Sequence, residues 1–178
     1  MMPVLAPVAK GSAYRAGTLA FILSAAAILT ALAFQYIGGY QPCMLCLWER
    51  YAYYFATPVL FAAVLLIALG HRRLPQILFV LAALAFLANA GLGIYHAGAE
   101  YKFWPGPIAC GGGGGLTANA GDFLKDLAKT HVVRCDEPAL VLFGLSFAGW
   151  NVVASLALAA LSLWAAFGGR AARRFGAA

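Results

Sequence analysis

Four cysteines are the residues of this sequence best suited to chemistry, and they form one close pair and one distant pair. Cys43 and Cys46 stand in C-x-x-C spacing, whereas 24 residues separate Cys110 from Cys135. A disulfide that closes so short a segment restrains the chain very little, and C-x-x-C spacing is typical of reactive dithiols with shifted thiol acidity. The close pair therefore indicates redox catalysis, while the distant pair fits either a redox role or a structural bridge across a long loop.

Other uses of cysteine fit this spacing less well. A zinc ribbon needs two close pairs of ligands, and the second pair is too widely spaced for one. Covalent haem attachment needs a histidine directly after the second cysteine of the close pair, where Leu47 stands. The sequence therefore predicts no metal site.

Charged residues follow the close pair directly. Pro42 disfavours helix at Gln41, and an apolar span begins soon after Cys46, so we expect Cys46 near a helix N-terminus, where partial positive charge favours a thiolate. Arg50 lies four residues on, on the same helical face, and is predicted to stabilise that thiolate. The alternative is that it extends to the lipid headgroups as an anchor. Glu49 points elsewhere and either orients Arg50 or faces the headgroups.

A dithiol that turns over must pass two electrons to an acceptor. The histidines (His71, His96 and His131) form no haem-binding pair at membrane depth, and no dinucleotide or iron–sulfur motif is present. A lipid-soluble quinone that meets Cys46 at the membrane surface is the economical acceptor. His96 is predicted to hydrogen-bond a quinone oxygen or deliver a proton, or else to be an interfacial histidine without function. Glu100 lies on the same face if the helix continues.

The elements that must position these residues are membrane helices. The chain is 63% hydrophobic and only 10% charged, whereas a soluble domain has about 25% charged residues. Asp, Glu, Lys and Arg are absent from four stretches, each with the roughly 20 apolar residues that a spanning helix needs: 16–48, 51–70, 74–99 and 138–169. We predict an all-α membrane protein, a four-transmembrane-helix bundle forming a single domain over 1–178. Its predicted spans lie at about 16–37, 52–69, 75–95 and 140–167.

The distribution of charge predicts the orientation of the bundle. Seven basic and no acidic residues flank the spans on one side, against five basic and six acidic residues on the other. Under the positive-inside rule, both termini are cytoplasmic and the two loops, at about 38–51 and 96–139, are periplasmic. All four cysteines then face the oxidising compartment, where disulfides persist. Topology accounts for the net charge of +6, so we predict no nucleic-acid partner.

The second loop carries turn and helix signals of its own. Pro105, Pro107 and the glycine run 111–115 predict turns and a flexible linker. The segment 122–130 has one apolar and one charged face, which predicts a short amphipathic helix. This helix would lie on the membrane surface or pack on the ends of the bundle.

Four stretches of the two predicted loops together resemble the DsbB family, disulfide bond formation protein B. The first is the run Gln41-Pro-Cys-Met-Leu-Cys-Leu-Trp-Glu-Arg-Tyr51, which looks like the family's first-loop signature. The others are Tyr95-His-Ala-Gly-Ala-Glu100, Trp104-Pro-Gly-Pro107 ahead of Cys110, and Val133-Arg-Cys-Asp136. The resemblance covers about residues 15–167 and is specific in both loops.

This resemblance implies a membrane four-helix bundle of the bacterial inner membrane that oxidises protein thiols with a quinone, ubiquinone or menaquinone. It implies that a reduced periplasmic DsbA-like thiol oxidase attacks the Cys110–Cys135 disulfide at Cys110. Cys135 then passes the electrons to Cys43–Cys46. By the same resemblance, Cys46 faces the quinone, Arg50 stabilises its thiolate and His96 lies nearby.

Two other readings remain open from the sequence alone. A vitamin K epoxide reductase-like thiol and quinone enzyme is also a four-span bundle, but its C-x-x-C pair lies within a later span instead of after the first. A non-catalytic four-span protein with two structural disulfides would need no acceptor. Its disulfides should resist mild thiol reductants, whereas catalytic pairs should equilibrate with them.

Overall fold

The computed structural model describes residues 11–71, 73–106, 135–138 and 140–175 of the 178-residue chain. Within these ranges four long helices follow one another: α1 at Ser12–Tyr36, α2 at Met44–Ala68, α3 at Arg73–Glu100 and α4 at Phe147–Phe175. A short antiparallel hairpin, β1 at Val141–Leu142 and β2 at Leu145–Ser146, precedes α4. All four helices are long and apolar enough to cross a membrane, α4 over Phe147–Phe167. The predicted all-α, four-helix membrane protein is confirmed.

The bundle packs through small residues on its inner faces and leaves large apolar side chains on the outside. The buried core is rich in alanine, which lets helix backbones approach closely in a membrane: Ala20, Ala56, Ala63, Ala82 and Ala159 surround Leu60, Phe79, Phe86 and Leu158. Leu29, Phe61, Leu84 and Trp164 are among the exposed apolar residues. Such a surface suits lipid contact, where apolar exposure costs nothing.

A polar cluster inside the bundle ties three helices together. The Tyr53 hydroxyl of α2 donates to Asn151 Oδ1 of α4 at 2.8 Å. Asn89 Nδ2 of α3 donates to the same oxygen at 3.2 Å and to Ser155 Oγ at 3.0 Å. Buried polar groups need such partners, and each interhelical bond of this kind contributes about 0.6 kcal/mol in a membrane bundle. The cluster fixes how α2, α3 and α4 face one another.

The helix ends differ from the predicted spans in ways that matter for the site. Helix α2 begins at Met44, not near residue 52, and α3 continues to Glu100, five residues beyond the predicted end at Tyr95. Charge marked the predicted ends, but Glu49 and Glu100 are buried inside the bundle instead of marking its edge. The condition placed on Glu100, that the helix continue past His96, is met.

Residues 140–146 were predicted as the start of the fourth span and instead lead into α4 through the hairpin. Leu142 pairs with Leu145, so Phe143 and Gly144 form a two-residue turn, and both have positive φ, 52° and 82°. Positive φ at both central positions is the geometry that matches the twist of a tight hairpin. The predicted linker at 111–115 and the predicted amphipathic helix at 122–130 lie outside the described residues.

Candidate active site at the start of the second helix

The close cysteine pair sits at the first turn of α2. Cys43 is the N-cap residue, with extended backbone (φ −72°, ψ 171°), and its Sγ accepts the backbone N–H of Cys46 at 3.2 Å. The two sulfur atoms lie 2.9 Å apart, and both cysteines are free. Pro42 accounts for the helix start, because it keeps the preceding residue out of helical conformation. The two thiols are therefore close enough to form a disulfide and to be reduced again.

Cys46 lies in the first turn of α2, near the helix N-terminus as the sequence predicted, and Cys43 caps that turn. A hydrogen bond from the Cys46 thiol lowers the pKa of the Cys43 thiol to about 4, against burial, which raises it; hydrogen bonds from His96 and the Cys46 amide lower it further. The Cys46 amide is free to donate to the Cys43 sulfur because α2 begins at Met44, which leaves the N–H groups of its first turn without partners inside the helix.

Three ionisable side chains lie near Cys43: Glu49 of α2 and His96 and Glu100 of α3. His96 is 1% exposed, its Nε2 lies 3.5 Å from Cys43 Sγ, and its Nδ1 lies 2.8 Å from Glu49 Oε1. Glu100, one turn after His96, places Oε1 3.8 Å from Nε2. A carboxylate that accepts from Nδ1–H directs the other ring nitrogen at the sulfur. That nitrogen can therefore exchange a proton with Cys43.

These contacts correct two expectations about single residues. Glu49 was expected to orient Arg50 or to face the headgroups, but it is 6% exposed and bonded to His96. His96 was alternatively an interfacial residue, but it is buried. Sequence spacing cannot show this pairing, because Glu49 and His96 lie on different helices. The signal that could have found it is that both are polar residues within otherwise apolar helix faces.

Arg50 is held by α1. Its guanidinium donates to the side-chain oxygen of Gln35 and, through Nη2, to the Ala31 carbonyl at 3.4 Å. Arg50 and Cys46 line the same cavity, as expected for two residues one helical turn apart. Gln35 was missed at the sequence level, since nothing local marks it as a partner of Arg50.

A cavity of about 320 Å³ opens beside these side chains. Its lining includes the polar or reactive residues Cys43, Cys46, Glu49, Arg50, His96 and Glu100 and the apolar residues Ala27, Ile28, Phe34, Phe147 and Trp150. Pockets for small molecules typically have such volumes, with an apolar lining and a few polar groups. The cavity can therefore hold a flat, mostly apolar ligand next to both sulfur atoms.

A third cysteine, distant in sequence, lies beside the site. Cys135 is disulfide-bonded, is 1% exposed and packs with Cys43 and Leu45, beside Cys46 and Leu92. Cys110, the fourth cysteine and also a predicted site residue, lies outside the described residues. The structure thus places one member of the distant pair in the same buried cluster as Cys43 of the close pair.

The neighbourhood of Cys135 is anchored to the end of α3. Lys102 Nζ pairs with Asp136 Oδ2 at 2.9 Å. Trp104 stacks on Tyr95 with 6.0 Å between ring centroids and donates to the Tyr95 carbonyl at 2.9 Å. Gly98 is required beneath this ring, because a Cβ there would lie 2.0 Å from Trp104 Cζ2. These contacts hold residues 102–104 and residue 136, which lie on either side of the undescribed stretch 107–134, against one end of the bundle.

Comparison with known proteins adds independent findings. The family described as Disulfide bond formation protein DsbB matches the chain over residues 14–165. A protein of Rickettsia prowazekii (strain Madrid E), described as Uncharacterized protein RP370, is 24% identical over 155 residues, which covers 84% of this chain and 86% of that protein. No solved structure matches the chain.

Proposed function

The chain belongs to the DsbB family of disulfide bond formation proteins, and on that premise we propose that it is a quinone-dependent protein-thiol:disulfide oxidoreductase. It reoxidises a periplasmic DsbA-like thiol oxidase and passes the electrons to a membrane quinone, ubiquinone or menaquinone. It works as a multi-pass protein of the bacterial inner membrane.

The proposed orientation puts both termini in the cytoplasm and the cysteines at the periplasmic face. The charge distribution supports it, with seven basic and no acidic residues on the cytoplasmic side. The packing of the site agrees with one common face, because Cys43 at the start of α2 and Glu100 at the end of α3 line the same cavity. A DsbA-like partner can then reach the distant pair from the periplasm.

The place of Cys135 in the same buried cluster as Cys43 and Leu45 is the observation that carries the proposal. A partner thiol attacks the Cys110–Cys135 disulfide at Cys110 and frees Cys135, which attacks Cys43 of the oxidised close pair and releases Cys46. The second partner thiol resolves the bond to Cys110, so the partner leaves oxidised. Cys110 then recloses on Cys135 and frees Cys43. Two electrons have moved from the partner to the close pair, which is left as a dithiol.

The residues around the cavity fit a quinone headgroup. The cavity lining is mostly apolar. The guanidinium of Arg50, which is fixed by Gln35 and Ala31, offers N–H groups that can donate hydrogen bonds to a ketone oxygen. A bound quinone supplies an acceptor for two electrons and two protons. Arg50 would hold the quinone and Cys46 would face it. His96 would move the proton at Nε2 beside Cys43, and Glu49 keeps His96 in the required orientation.

Replacement of Arg50 by glutamine is expected to slow quinone reduction about 10- to 100-fold, because a charge-assisted hydrogen bond contributes about 1.5–3 kcal/mol. The loss should appear in kcat or in the KM for quinone, with the KM for the protein partner unchanged. Arg50→Lys should restore only part, since an ammonium lacks the guanidinium fork. Arg73→Gln, at the opposite end of α3, is the matched control. Equal quinone kinetics in Arg50→Gln and Arg73→Gln would make Arg50 an anchor between α1 and α2.

The proposed function is tested by mixing the purified protein with a reduced DsbA-like protein and a soluble quinone analogue. Quinone absorbance and partner thiols are followed together. We expect one quinone to be reduced for each partner disulfide formed, and no reduction when the partner is supplied already oxidised. A partner that stays reduced while the chain is folded and the quinone is in excess would rule the function out.

A further inference from the structure

We propose that the reduced close pair, with His96 and Glu100, is a binding site for a thiophilic divalent cation of the zinc class. We further infer that a cation bound there blocks reoxidation of the pair. The binding itself does not depend on the proposed function, whereas the inhibition rests on it. No metal site was predicted from the sequence, because the cysteine spacing alone does not form one. The further ligands, His96 and Glu100, come from α3.

The ligand atoms have separations close to those of a tetrahedral zinc site. The Sγ atoms of Cys43 and Cys46 and a ring nitrogen of His96 all lie within 4.8 Å of one another. With Zn–S at about 2.3 Å and Zn–N at about 2.0 Å, tetrahedral geometry puts sulfur and nitrogen about 3.5 Å apart. Cys43 Sγ and His96 Nε2 are 3.5 Å apart.

The sulfur atoms are the pair that must adjust. They lie 2.9 Å apart, whereas two thiolates on one zinc ion stand about 3.8 Å apart at the same bond lengths. Cys46 lies in the first turn of α2 and is only partly buried. Rotation of its side chain towards the cavity opens the gap without moving the helix, because that side is not packed with protein.

Glu49 prepares His96 for a cation. Metal-binding histidines commonly donate their second ring N–H to a carboxylate, which fixes the ring and leaves the other nitrogen free to coordinate. His96 Nδ1 lies 2.8 Å from Glu49 Oε1, so its Nε2 faces the sulfur of Cys43. The arrangement is that of a carboxylate–histidine pair aimed at a thiol.

The carboxyl of Glu100 is stabilised by a hydrogen bond with the Ser146 side chain, and one of its oxygens remains available to a cation. Its side chain is 5% exposed, and Oε1 lies 3.8 Å from His96 Nε2. Among the described residues, Oε2 of Glu100 is buried without a hydrogen-bond partner. A buried carboxylate oxygen without a donor is costly, and a fourth ligand position on the cation would satisfy it. The ligand atoms within 4.8 Å of one another belong to Cys43, Cys46 and His96 only, so the Glu100 carboxylate must turn towards the sulfur atoms to coordinate.

The site exists only in the reduced protein. Binding replaces the thiol protons with the cation and transfers no electrons, and a disulfide between Cys43 and Cys46 removes both thiolate ligands. All four proposed ligands line the cavity, so a cation can reach them by the route open to a small ligand. A cation held there occupies both sulfur atoms and prevents them from forming a disulfide.

Cobalt(II) is a suitable probe, because thiolate coordination gives it visible and ultraviolet absorption that zinc then abolishes by displacement. The full-length protein, purified in detergent without quinone and reduced, should bind one cobalt ion per chain. Protein with the close pair oxidised should bind none. Binding of equal strength in both redox states, or no binding to the reduced protein, would overturn the proposal.

Variants assign the ligands. Glu49→Gln is expected to weaken cobalt binding about 10- to 100-fold, the usual cost of losing a carboxylate behind a metal-binding histidine. His96→Ala should weaken it further, and Glu100→Gln provides a second ligand variant that keeps the side-chain volume. His71→Ala, outside the cavity, is the matched control. Affinity that is unchanged in both His96→Ala and Glu100→Gln, with helical content intact, would place the metal elsewhere.

The loop cysteines are excluded with the double variant Cys110→Ala/Cys135→Ala, which should retain full cobalt binding. Loss of binding in this variant would refute the site. Zinc is then added to the wild-type enzyme during turnover with partner and quinone. Saturating zinc should stop quinone reduction, and undiminished turnover with zinc bound would refute the inhibitory step. Cobalt binding by a protein without any quinone reductase activity would instead support the site and reject the proposed function.

Discussion

Replacement of Cys46 by alanine is expected to lower the rate of partner oxidation at least about a thousandfold, the scale on which loss of a covalent catalyst acts. Without Cys46 the close pair cannot form a disulfide, so it cannot deliver two electrons to an acceptor. The sulfur atoms of Cys43 and Cys46 lie 2.9 Å apart, and both residues line the same cavity. They are the free cysteines among the described residues, so no other described thiol can replace Cys46.

Met44→Ala is the matched control for that experiment. Met44 lies in the same helical turn and is 46% exposed, so its truncation should leave turnover within about twofold, as for most exposed substitutions. Partner oxidation is measured by loss of partner thiols with quinone in excess. If Cys46→Ala retained more than a few per cent of the wild-type rate, the close pair would not be the route to the quinone.

Replacement of both distant cysteines, as Cys110→Ala/Cys135→Ala, is expected to abolish partner oxidation and leave the quinone step intact. The double variant is preferable to a single one, because a free Cys135 would lie in the buried cluster that contains Cys43 and could bridge to it. After reduction of the close pair and removal of the reductant, one quinone should be reduced per chain.

The reciprocal variant, Cys43→Ala/Cys46→Ala, should show the opposite pattern. It should exchange once with reduced partner through the Cys110–Cys135 disulfide and consume no quinone. Loss of both activities in either variant, with the protein folded, would mean that the two pairs are not separable stages.

Much of the fold was predictable because a membrane limits the choices of a chain. Four long uncharged stretches can cross hydrocarbon only as helices, and the structure has them. The helix ends were less predictable. Glu49 and Arg50 look like the edge of a span, yet both lie within α2, because they face protein and a cavity. A charged residue therefore does not mark the end of a helix when its side chain is buried inside the bundle.

The candidate site also has a part that local sequence predicts and a part that it does not. The close pair follows from local spacing, and Arg50 follows from its place one turn after Cys46. The partners of these residues do not, because Glu49 with His96 and Arg50 with Gln35 join different helices. Only family resemblance linked the distant pair to the close one. Cys46 does lie near a helix N-terminus as predicted, but the position of Cys43 as the N-cap was not predictable, because the sequence placed the start of the span several residues too late.

The central claim is that electrons pass directly from the distant pair to the close pair through Cys135 and Cys43. The most direct measurement is disulfide mapping by mass spectrometry in Cys46→Ala, after the protein has been incubated under conditions that allow thiol exchange. With Cys46 absent, the free thiol of Cys43 should attack the neighbouring Cys135, giving a Cys43–Cys135 disulfide and a free Cys110. A Cys43 that remains a free thiol, or that is found bonded to Cys110, would contradict the account.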